Sequence, residues 1–183
     1  MKKFLLTGLS LFLFSSPAFS ETNIRNVLDS SNILLKNNIE YIDKVNGSSS
    51  EMLIYSLNLL DKNIKGLRLR IKGRMGNSLR FTSYITDNEI SKLIKALNEM
   101  ISIAEKNKNN EVQVEINYRT IDGVNFAYYQ EGRDPKFYIE SGVVEGYSTD
   151  PVGVSKYTTT AAVEFDDINE LKKIKNILEK IKW

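Results

Sequence analysis

The segment from Thr86 to Lys106 constrains the fold more than any other part of the chain, because it specifies a helix in two independent ways. Thr86 and Glu89 have the spacing of a capping box, in which each side chain hydrogen-bonds a backbone N–H at the start of a helix. Apolar residues then recur at the spacing of one helical face, at Ile90, Leu93, Ile94, Leu97, Met100, Ile101 and Ala104. The sequence therefore predicts a helix over about residues 87–106, preceded by a strand that begins at Leu79.

The same arrangement returns at the end of the chain, where Asp167 and Glu170 repeat the capping-box spacing. A predicted strand over residues 157–165 leads into this cap, and an apolar stripe predicts a second main helix over about 167–181. One interpretation is a duplicated unit of four strands and a helix; the other is that any two capped amphipathic helices align in this way. The corresponding halves are residues 37–106 and 110–183.

The first 20 residues have the layout of a secretory signal peptide. Lys2 and Lys3 precede an apolar run over residues 4–14, and a small-residue cleavage site lies before Glu21. The run is shorter than the roughly 20 apolar residues of a spanning helix, although a retained anchor is the alternative. We therefore expect residues 21–183 to form a single exported α+β domain, periplasmic or secreted in a bacterium, with no transmembrane segment.

The chain contains no histidine and no cysteine. Histidine-based triads, thiolate nucleophiles, disulfides and ordinary zinc sites are therefore excluded. Neither a phosphate loop nor a Gly-x-Ser-x-Gly elbow is present. We predict no catalytic residue, no metal and no cofactor, and a non-enzymatic role is favoured.

Two alternating runs precede the first main helix. Leu53, Tyr55, Leu57 and Leu59 form one, and Leu67, Leu69 and Ile71 form the other. This period of two predicts a strand over residues 51–61, paired as a hairpin with the next run, whereas a helix is the alternative for so short an apolar run. A short helix is predicted over residues 23–36 and a strand over residues 39–45.

Basic residues concentrate around the second of these runs, between residues 62 and 80. The formal charge of +2 falls to zero once Lys2 and Lys3 leave with the signal peptide, which disfavours nucleic acid as a partner. Locally, however, the cations share one strand face and concentrate positive potential for an anionic partner; a solvated face is the alternative. The candidate anion-binding residues are Arg68, Arg70, Lys72, Arg74 and Arg80.

The hairpin after residue 111 has two possible registers. A two-residue loop pairs Arg119 with Phe126 and places the two apolar sets on opposite faces. A three-residue loop over 121–123, with Gly123 left-handed, pairs Tyr118 with Phe126 and aligns the apolar sets. We predict the three-residue loop.

The segment from Gly142 to Ser155 contains three glycines and a proline and is predicted to be a long, functional loop. Tyrosines crowd the same half of the chain and suggest a carbohydrate or peptide groove, although aromatic residues are also common in strands that pack under helices. The candidate groove residues are Tyr129, Tyr138, Tyr147, Glu140 and Glu145. The candidate acids for a catalytic pair or a Ca²⁺ site are Glu131, Asp134, Glu140, Glu145 and Asp150, and solvated loop acids are the alternative.

Together these patterns predict an α+β fold in which about eight antiparallel strands carry two main helices on one face, with a short N-terminal helix. The first functional hypothesis is an exported binding or interaction protein of the bacterial envelope whose partner is an unknown protein or an anionic envelope component. It would bind through its sheet face and the loop over residues 142–155. The alternatives are a carboxylate-dependent hydrolase and a carrier or binder of anionic envelope lipid through the basic hairpin 62–80.

Overall fold

The computed structural model describes residues 23–29, 35–73, 80–141, 144–150, 153–159 and 161–181. For residues 73, 80, 144–150 and 153–159 it describes the backbone alone. The predicted signal peptide, residues 1–20, lies outside the described residues.

Within the described residues, the first element is a short helix and the last is a longer one. In chain order the elements are α1 (Ile24–Asp29), β1 (Asn37–Asn46), β2 (Ser50–Leu59), β3 (Ile64–Gly73), β4 (Arg80–Thr86), α2 (Asp87–Asn107), β5 (Val112–Arg119), β6 (Asn125–Gly132), β7 (Asp134–Glu140), β8 (Val144–Asp150), β9 (Gly153–Thr159), β10 (Ala162–Phe165) and α3 (Ile168–Lys180). A single 3₁₀ turn, Leu60–Lys62, joins β2 to β3.

The strands form two four-stranded antiparallel sheets and a separate two-stranded pair. The first sheet has the order β1-β2-β3-β4, the second has the order β10-β7-β6-β5, and β8 pairs with β9. The predicted α+β class with antiparallel sheets is confirmed. The predicted total of about eight strands was incomplete, because the described residues contain ten. A helix follows the fourth strand of each four-stranded sheet, and descent of the two halves from a duplicated unit stays a prediction.

Most of the ambiguous segment over residues 51–61 is a strand, as predicted, although the strand ends at Leu59 and a 3₁₀ turn begins at Leu60. Its alternating residues pair along the whole of β3, from Ser50 opposite Gly73 to Leu59 opposite Ile64. On its other side β2 pairs with β1, whose register shifts between Tyr41 and Asp43, which is a β-bulge at Ile42.

The β5–β6 hairpin has the predicted three-residue loop. Tyr118 lies opposite Phe126 and Ile116 opposite Tyr128. The Thr120 N–H donates to the Val124 carbonyl at 2.9 Å, and Gly123 takes a φ of +84°, a left-handed conformation that glycine adopts without steric cost. The loop chemistry therefore sets the register that places both apolar sets on one face.

Two predictions in the second half were wrong. The segment over residues 142–155 is largely a hairpin and not a loop, because its β-branched and aromatic residues pair backbone to backbone while Pro151 falls between β8 and β9. The single strand predicted over residues 157–165 is divided between two sheets. Its first part pairs with β8, whereas Ala162–Phe165 pairs with β7.

The inner faces of both four-stranded sheets pack with helices α2 and α3 into one contiguous core. Helix α2 contributes the predicted stripe that includes Leu93 and Leu97, both fully buried, and α3 contributes Leu171 and Ile174. Phe137, at the centre of the second sheet, stacks between the rings of Tyr128 and Phe165, with centroids 5.3 and 5.6 Å away. Helices α2 and α3 therefore lie against the inner faces alone, and part of the outer face of the first sheet is covered by α1.

Helix α1 packs on the outer face of the first sheet and not in the main core. Ile24 is buried with Leu57 and Leu59 in a small second cluster. Gly66 makes this approach possible, because a Cβ at that position would lie 2.6 Å from Cδ1 of Ile24 and would also meet the Ile85 carbonyl oxygen. The helix is shorter than predicted, since the part of 23–36 that is described as helix ends at Asp29.

The tips of two hairpins lock the sheets together. The Ser48 N–H in the β1–β2 turn donates to the Glu164 carbonyl on edge strand β10 at 2.8 Å. In the β5–β6 loop, Asp122 accepts the Tyr84 N–H of edge strand β4 at 2.8 Å. Each docked tip covers a sheet edge that would otherwise expose unpaired backbone groups.

Of the two predicted capping boxes, the one at α2 forms completely and the one at α3 forms only in part. Thr86 and Glu89 form the full capping box, and the Glu89 carboxylate also accepts the Ile121 N–H at 2.7 Å. At α3 only half of the box forms: Asp167 accepts the Asn169 N–H at 2.9 Å, whereas Oε2 of Glu170 is buried without a hydrogen-bond partner.

Candidate functional site

The outer face of the first sheet carries the predicted basic side chains. Because successive residues of a strand point to opposite faces, Arg68, Arg70 and Lys72 share the side of β3 that faces away from the core, while the alternate residues Leu67 and Leu69 are buried. Arg68 lies between Tyr55 on β2 and Tyr84 on β4.

Lysines at one end of this face share a carboxylate. The ammonium groups of Lys72 and Lys44 each lie 3.6 Å from a Glu51 carboxylate oxygen. Glu51 therefore pairs with both lysines, and these two ion pairs are weak because their side chains are partly exposed. Among the described side chains, this region of the face holds four cations and the single carboxylate of Glu51, so the region is positively charged. The four cations are Lys44, Arg68, Arg70 and Lys72.

The two arginines at the centre of the face lack partners. Within the part of the chain whose side chains are described, neither guanidinium makes an ion pair or hydrogen bond, and the Nε atoms of Arg68 and Arg70 are both buried without an acceptor. They are two residues apart on one strand, so their backbones are about 7 Å apart. A buried charged donor without an acceptor is costly and calls for a ligand or a functional reason.

Aromatic and apolar side chains surround these cations. Tyr41, whose side chain is 57% exposed, packs edge-to-face on Tyr55 with ring centroids 5.7 Å apart. Leu53 lies opposite Arg70, and Ile39 extends the apolar part of the face along β1. The face therefore combines guanidinium groups with partly exposed apolar surface.

One side of this face is closed by a residue that was not among those predicted from the sequence. Arg25 of α1 stacks on the Tyr84 ring, 5.5 Å from its centroid, and donates to the Thr82 carbonyl at 2.6 Å. The same guanidinium pairs with Asp122, and this hydrogen bond is the main reason why the pKa of Arg25 is raised. No spacing rule connects positions so far apart in the chain, so no pattern in the sequence indicated this contact.

For two of the five predicted anion-binding residues, the structure does not describe the side chain. Arg74 lies outside the described residues. The backbone of Arg80 pairs with Lys72 at the end of β4, but its side chain is not described.

The predicted ligand groove falls on the outer face of the second sheet. Tyr129, Tyr138 and Glu140 border a shallow cavity of about 280 Å³ whose floor is Ala127. Tyr138 on β7 lies directly opposite Ala127 on β6, and Tyr129 is two residues beyond Ala127 on β6. Tyr147 and Glu145 belong to β8, and their side chains lie outside the described part of the structure.

Hydrogen bonds hold the groove side chains in place. Asn125 donates to Glu140 at 3.1 Å and to Asn117 at 3.3 Å, and Asn117 donates to Glu115 at 2.7 Å. At the Tyr129 end, the hydroxyl donates to Glu131 at 2.7 Å, which raises the pKa of Tyr129 because its deprotonation would set two negative charges together. Burial is the main cause of the raised pKa of Tyr138.

The acids considered for catalysis do not converge. Glu131 and Asp134 face each other beside the β6–β7 turn, whereas Glu140 lies at the far end of β7, six residues or about 20 Å away. Paired catalytic carboxylates in glycoside hydrolases lie about 5 to 10 Å apart. Across the described residues, no group of three or more acidic side chains is arranged to hold a metal ion. Glu145 and Asp150 have undescribed side chains.

Comparison with protein-family models, with curated proteins and with solved structures gives no match to this chain. In the described part of the chain, none of the helices has both the length and the apolar character needed to cross a bilayer.

Proposed function

We propose that this is an exported, non-catalytic binding protein of the bacterial envelope, and that the outer face of its first sheet binds anionic lipid headgroups. The observation that carries the proposal is the pair of buried, unpartnered Nε atoms on Arg68 and Arg70. An isolated chain gains no stability from such atoms, since each lacks the hydrogen bond that would compensate for its burial. A phosphate oxygen supplies that bond, and the planar guanidinium matches phosphate in a two-point geometry.

The surroundings of the arginines favour a lipid over a small soluble anion. Tyr41 and Ile39, on edge strand β1, expose apolar surface on the same face as the cations, as side chains at a bilayer interface do. Each basic residue near an anionic membrane surface contributes roughly 1 kcal/mol of attraction. The combination therefore suits a headgroup together with the first part of its acyl region.

Export and the absence of catalysis are supported by other features. The signal-peptide layout of residues 1–20 supports export, and cleavage there leaves a mature chain that begins at Glu21. The chain lacks histidine and cysteine, and the described candidate acids are spread over β6 and β7. These features favour binding over hydrolysis.

The test is sedimentation of residues 21–183 with vesicles. Vesicles of phosphatidylglycerol mixed with phosphatidylethanolamine should retain the protein at least fivefold better than vesicles of phosphatidylcholine, and 0.5 M salt should weaken the retention because it screens the charges. The double variant Arg68→Gln/Arg70→Gln should lose most of this binding. A matched control, Lys95→Gln/Lys106→Gln, removes two exposed charges from helix α2 and should retain it.

Equal binding by the arginine variant and the lysine control would overturn the proposal. So would equal binding of the wild-type protein to the two kinds of vesicle. Inhibition of vesicle binding by millimolar inorganic phosphate alone would identify a soluble anion, and not a lipid, as the ligand of the face.

A further inference from the structure

The groove on the second sheet has a floor and walls that suit an aliphatic chain. Ala127 is the smallest side chain on the outer face of β6, and it leaves a gap between its neighbours along the strand, Asn125 and Tyr129. Across the sheet, Tyr138 on β7 and Asn117 on β5 close the sides. The result is a shallow cavity of about 280 Å³ with an apolar floor and two aromatic rings at its border.

A carboxylate stands at each end of this groove. Glu115 lies opposite Tyr129, and Glu140 lies opposite Asn125, so the two acids are separated by two strands and by four residues along the strand direction. Their Cα atoms are therefore about 16 Å apart. Both side chains line the cavity, and both are held by asparagine amides that leave the second carboxylate oxygen available.

Neither carboxylate is neutralised by the described side chains. Lys136, the nearest lysine in the register, is engaged elsewhere: its ammonium lies 2.9 Å from Asp166 and 3.5 Å from Glu164. Arg119 and Glu140 lie on either side of Asn125 in the strand register. Arg119 is exposed and makes no ion pair with Glu140 or with any other described acid. The groove thus has two separated negative ends that lack counter-ions.

We propose that this groove binds a linear diammonium ligand, a small polyamine, with one ammonium at each carboxylate. The aliphatic chain lies over Ala127, and the Tyr129 and Tyr138 rings pack against it and attract the cationic ends through their π faces. The site is independent of the arginine pair, because it lies on the other sheet and prefers the opposite charge.

The proposal predicts that the second ammonium of the ligand matters. Titration of residues 21–183 with spermidine, followed by amide chemical shifts, should move the Asn125, Ala127 and Tyr138 resonances. Spermidine should bind at least tenfold more tightly than butylamine, which has a single ammonium on a four-carbon chain and so cannot span both carboxylates. In Glu140→Gln or Glu115→Gln this tenfold advantage should fall to about twofold, because one end of the ligand loses its counter-charge.

Two further variants separate the groove from general surface charge. Glu99→Gln removes one exposed acid from helix α2 and should leave spermidine binding unchanged. Ala127→Leu retains both carboxylates but fills the floor, and it should weaken spermidine binding at least tenfold. Arg68→Gln/Arg70→Gln should leave it unchanged, which keeps this result separate from the lipid proposal. Equal affinity for spermidine and butylamine, or an effect of Glu99→Gln as large as that of Glu140→Gln, would overturn the inference.

Discussion

Arg25 and Asp122, which are 97 positions apart in the chain, form a two-point ion pair: Nε lies 2.7 Å from Oδ1 and Nη2 lies 2.9 Å from Oδ2. The Asp122 side chain is only 4% exposed and also accepts the Tyr84 N–H. Helix α1, edge strand β4 and the β5–β6 loop therefore meet at one carboxylate. This contact fixes α1 on the outer face of the first sheet, beside the unpartnered arginines.

Asp122→Ala should lower the free energy of unfolding by about 2 to 3 kcal/mol, because it leaves a backbone donor and a guanidinium without their shared acceptor. Asp122→Asn retains one acceptor oxygen and should cost less. Urea unfolding measures both. The control is Glu111→Ala, which breaks the Arg133 pair, where both side chains are 71% exposed, and should cost under about 0.5 kcal/mol. Equal losses for Asp122→Ala and Glu111→Ala would refute the role assigned to Asp122.

Glu89→Gln should destabilise the protein by about 1 to 3 kcal/mol. The Glu89 side chain is buried, with a residue exposure of 3%, and accepts from Thr86 N, from Thr86 Oγ1 and from the Ile121 N–H. An amide can present an acceptor oxygen to only one side, so either the helix cap or the loop contact is lost. Hydrogen exchange should show faster opening at Thr86 or at Ile121; unchanged exchange at both amides would count against this account.

Gly66→Ala should detach or displace helix α1. The added Cβ meets the Ile85 carbonyl oxygen and the tip of Ile24, and the carbonyl belongs to a paired strand that cannot move cheaply. We expect a loss of more than about 2 kcal/mol, in the range of overpacked core sites. Ile24→Ala provides the comparison. If the clash with Ile24 contributes, the double variant Gly66→Ala/Ile24→Ala should lose less stability than the sum of the two single variants. Fluorescence-monitored unfolding checks the cycle.

Arg68→Met/Arg70→Met should leave the protein equally stable or more stable by up to about 1 kcal/mol, while it abolishes binding to anionic vesicles. Replacing unsatisfied buried donors by apolar groups of similar length removes a cost and retains the packing of the stems. Residues that serve binding at the expense of stability behave in this way. A stability loss above 1 kcal/mol would instead identify the arginines as structural.

The Asp43 carboxyl should titrate below its ordinary pKa of 3.8. The first cause is the Lys44 N–H, which donates to it at 2.7 Å, and Lys173, whose ammonium is 3.3 Å away, is a smaller one. Because the pKa is lower in the folded state, Asp43 contributes stability above about pH 4 and loses that contribution as the pH falls through the folded pKa. In a carboxyl NMR titration, Lys173→Met should raise the pKa only part of the way, and Lys172→Met should leave it unchanged.

Much of the local structure was predictable from the sequence. The capping box at Thr86 and Glu89 and the left-handed Gly123 act within a few residues, so their spacing predicts the helix start and the hairpin register directly. The alternation over residues 51–61 likewise identified a strand. The glycines and the proline over residues 142–155 indicate breaks in regular structure and so do not predict the hairpin β8–β9. In the hairpin, Gly146 is tolerated within β8 opposite Tyr157, and position 151 falls between the two strands.

The candidate sites were predictable only in part. Alternation placed Arg68, Arg70 and Lys72 on one face. The structure adds that the buried Nε atoms of the two arginines have no acceptor among the described residues, while Lys72 shares Glu51 with Lys44. Tyr129, Tyr138 and Glu140 lie together because of the register between two strands, β6 and β7, which neither segment encodes alone. No pattern in the sequence indicated that Ala127 lies at the centre of the groove.

The sequence by itself determined the periodic elements, their caps and their turns, because those depend on hydrogen bonds and side-chain contacts between residues close together in the chain. Only the tertiary structure decided that Arg25 meets Asp122, that α1 covers the outer face of the first sheet, and that Glu115 and Glu140 face one groove. Such contacts depend on how two sheets and two helices pack around a shared core. Residues that meet in this way have no fixed separation in the sequence from which the contact can be predicted.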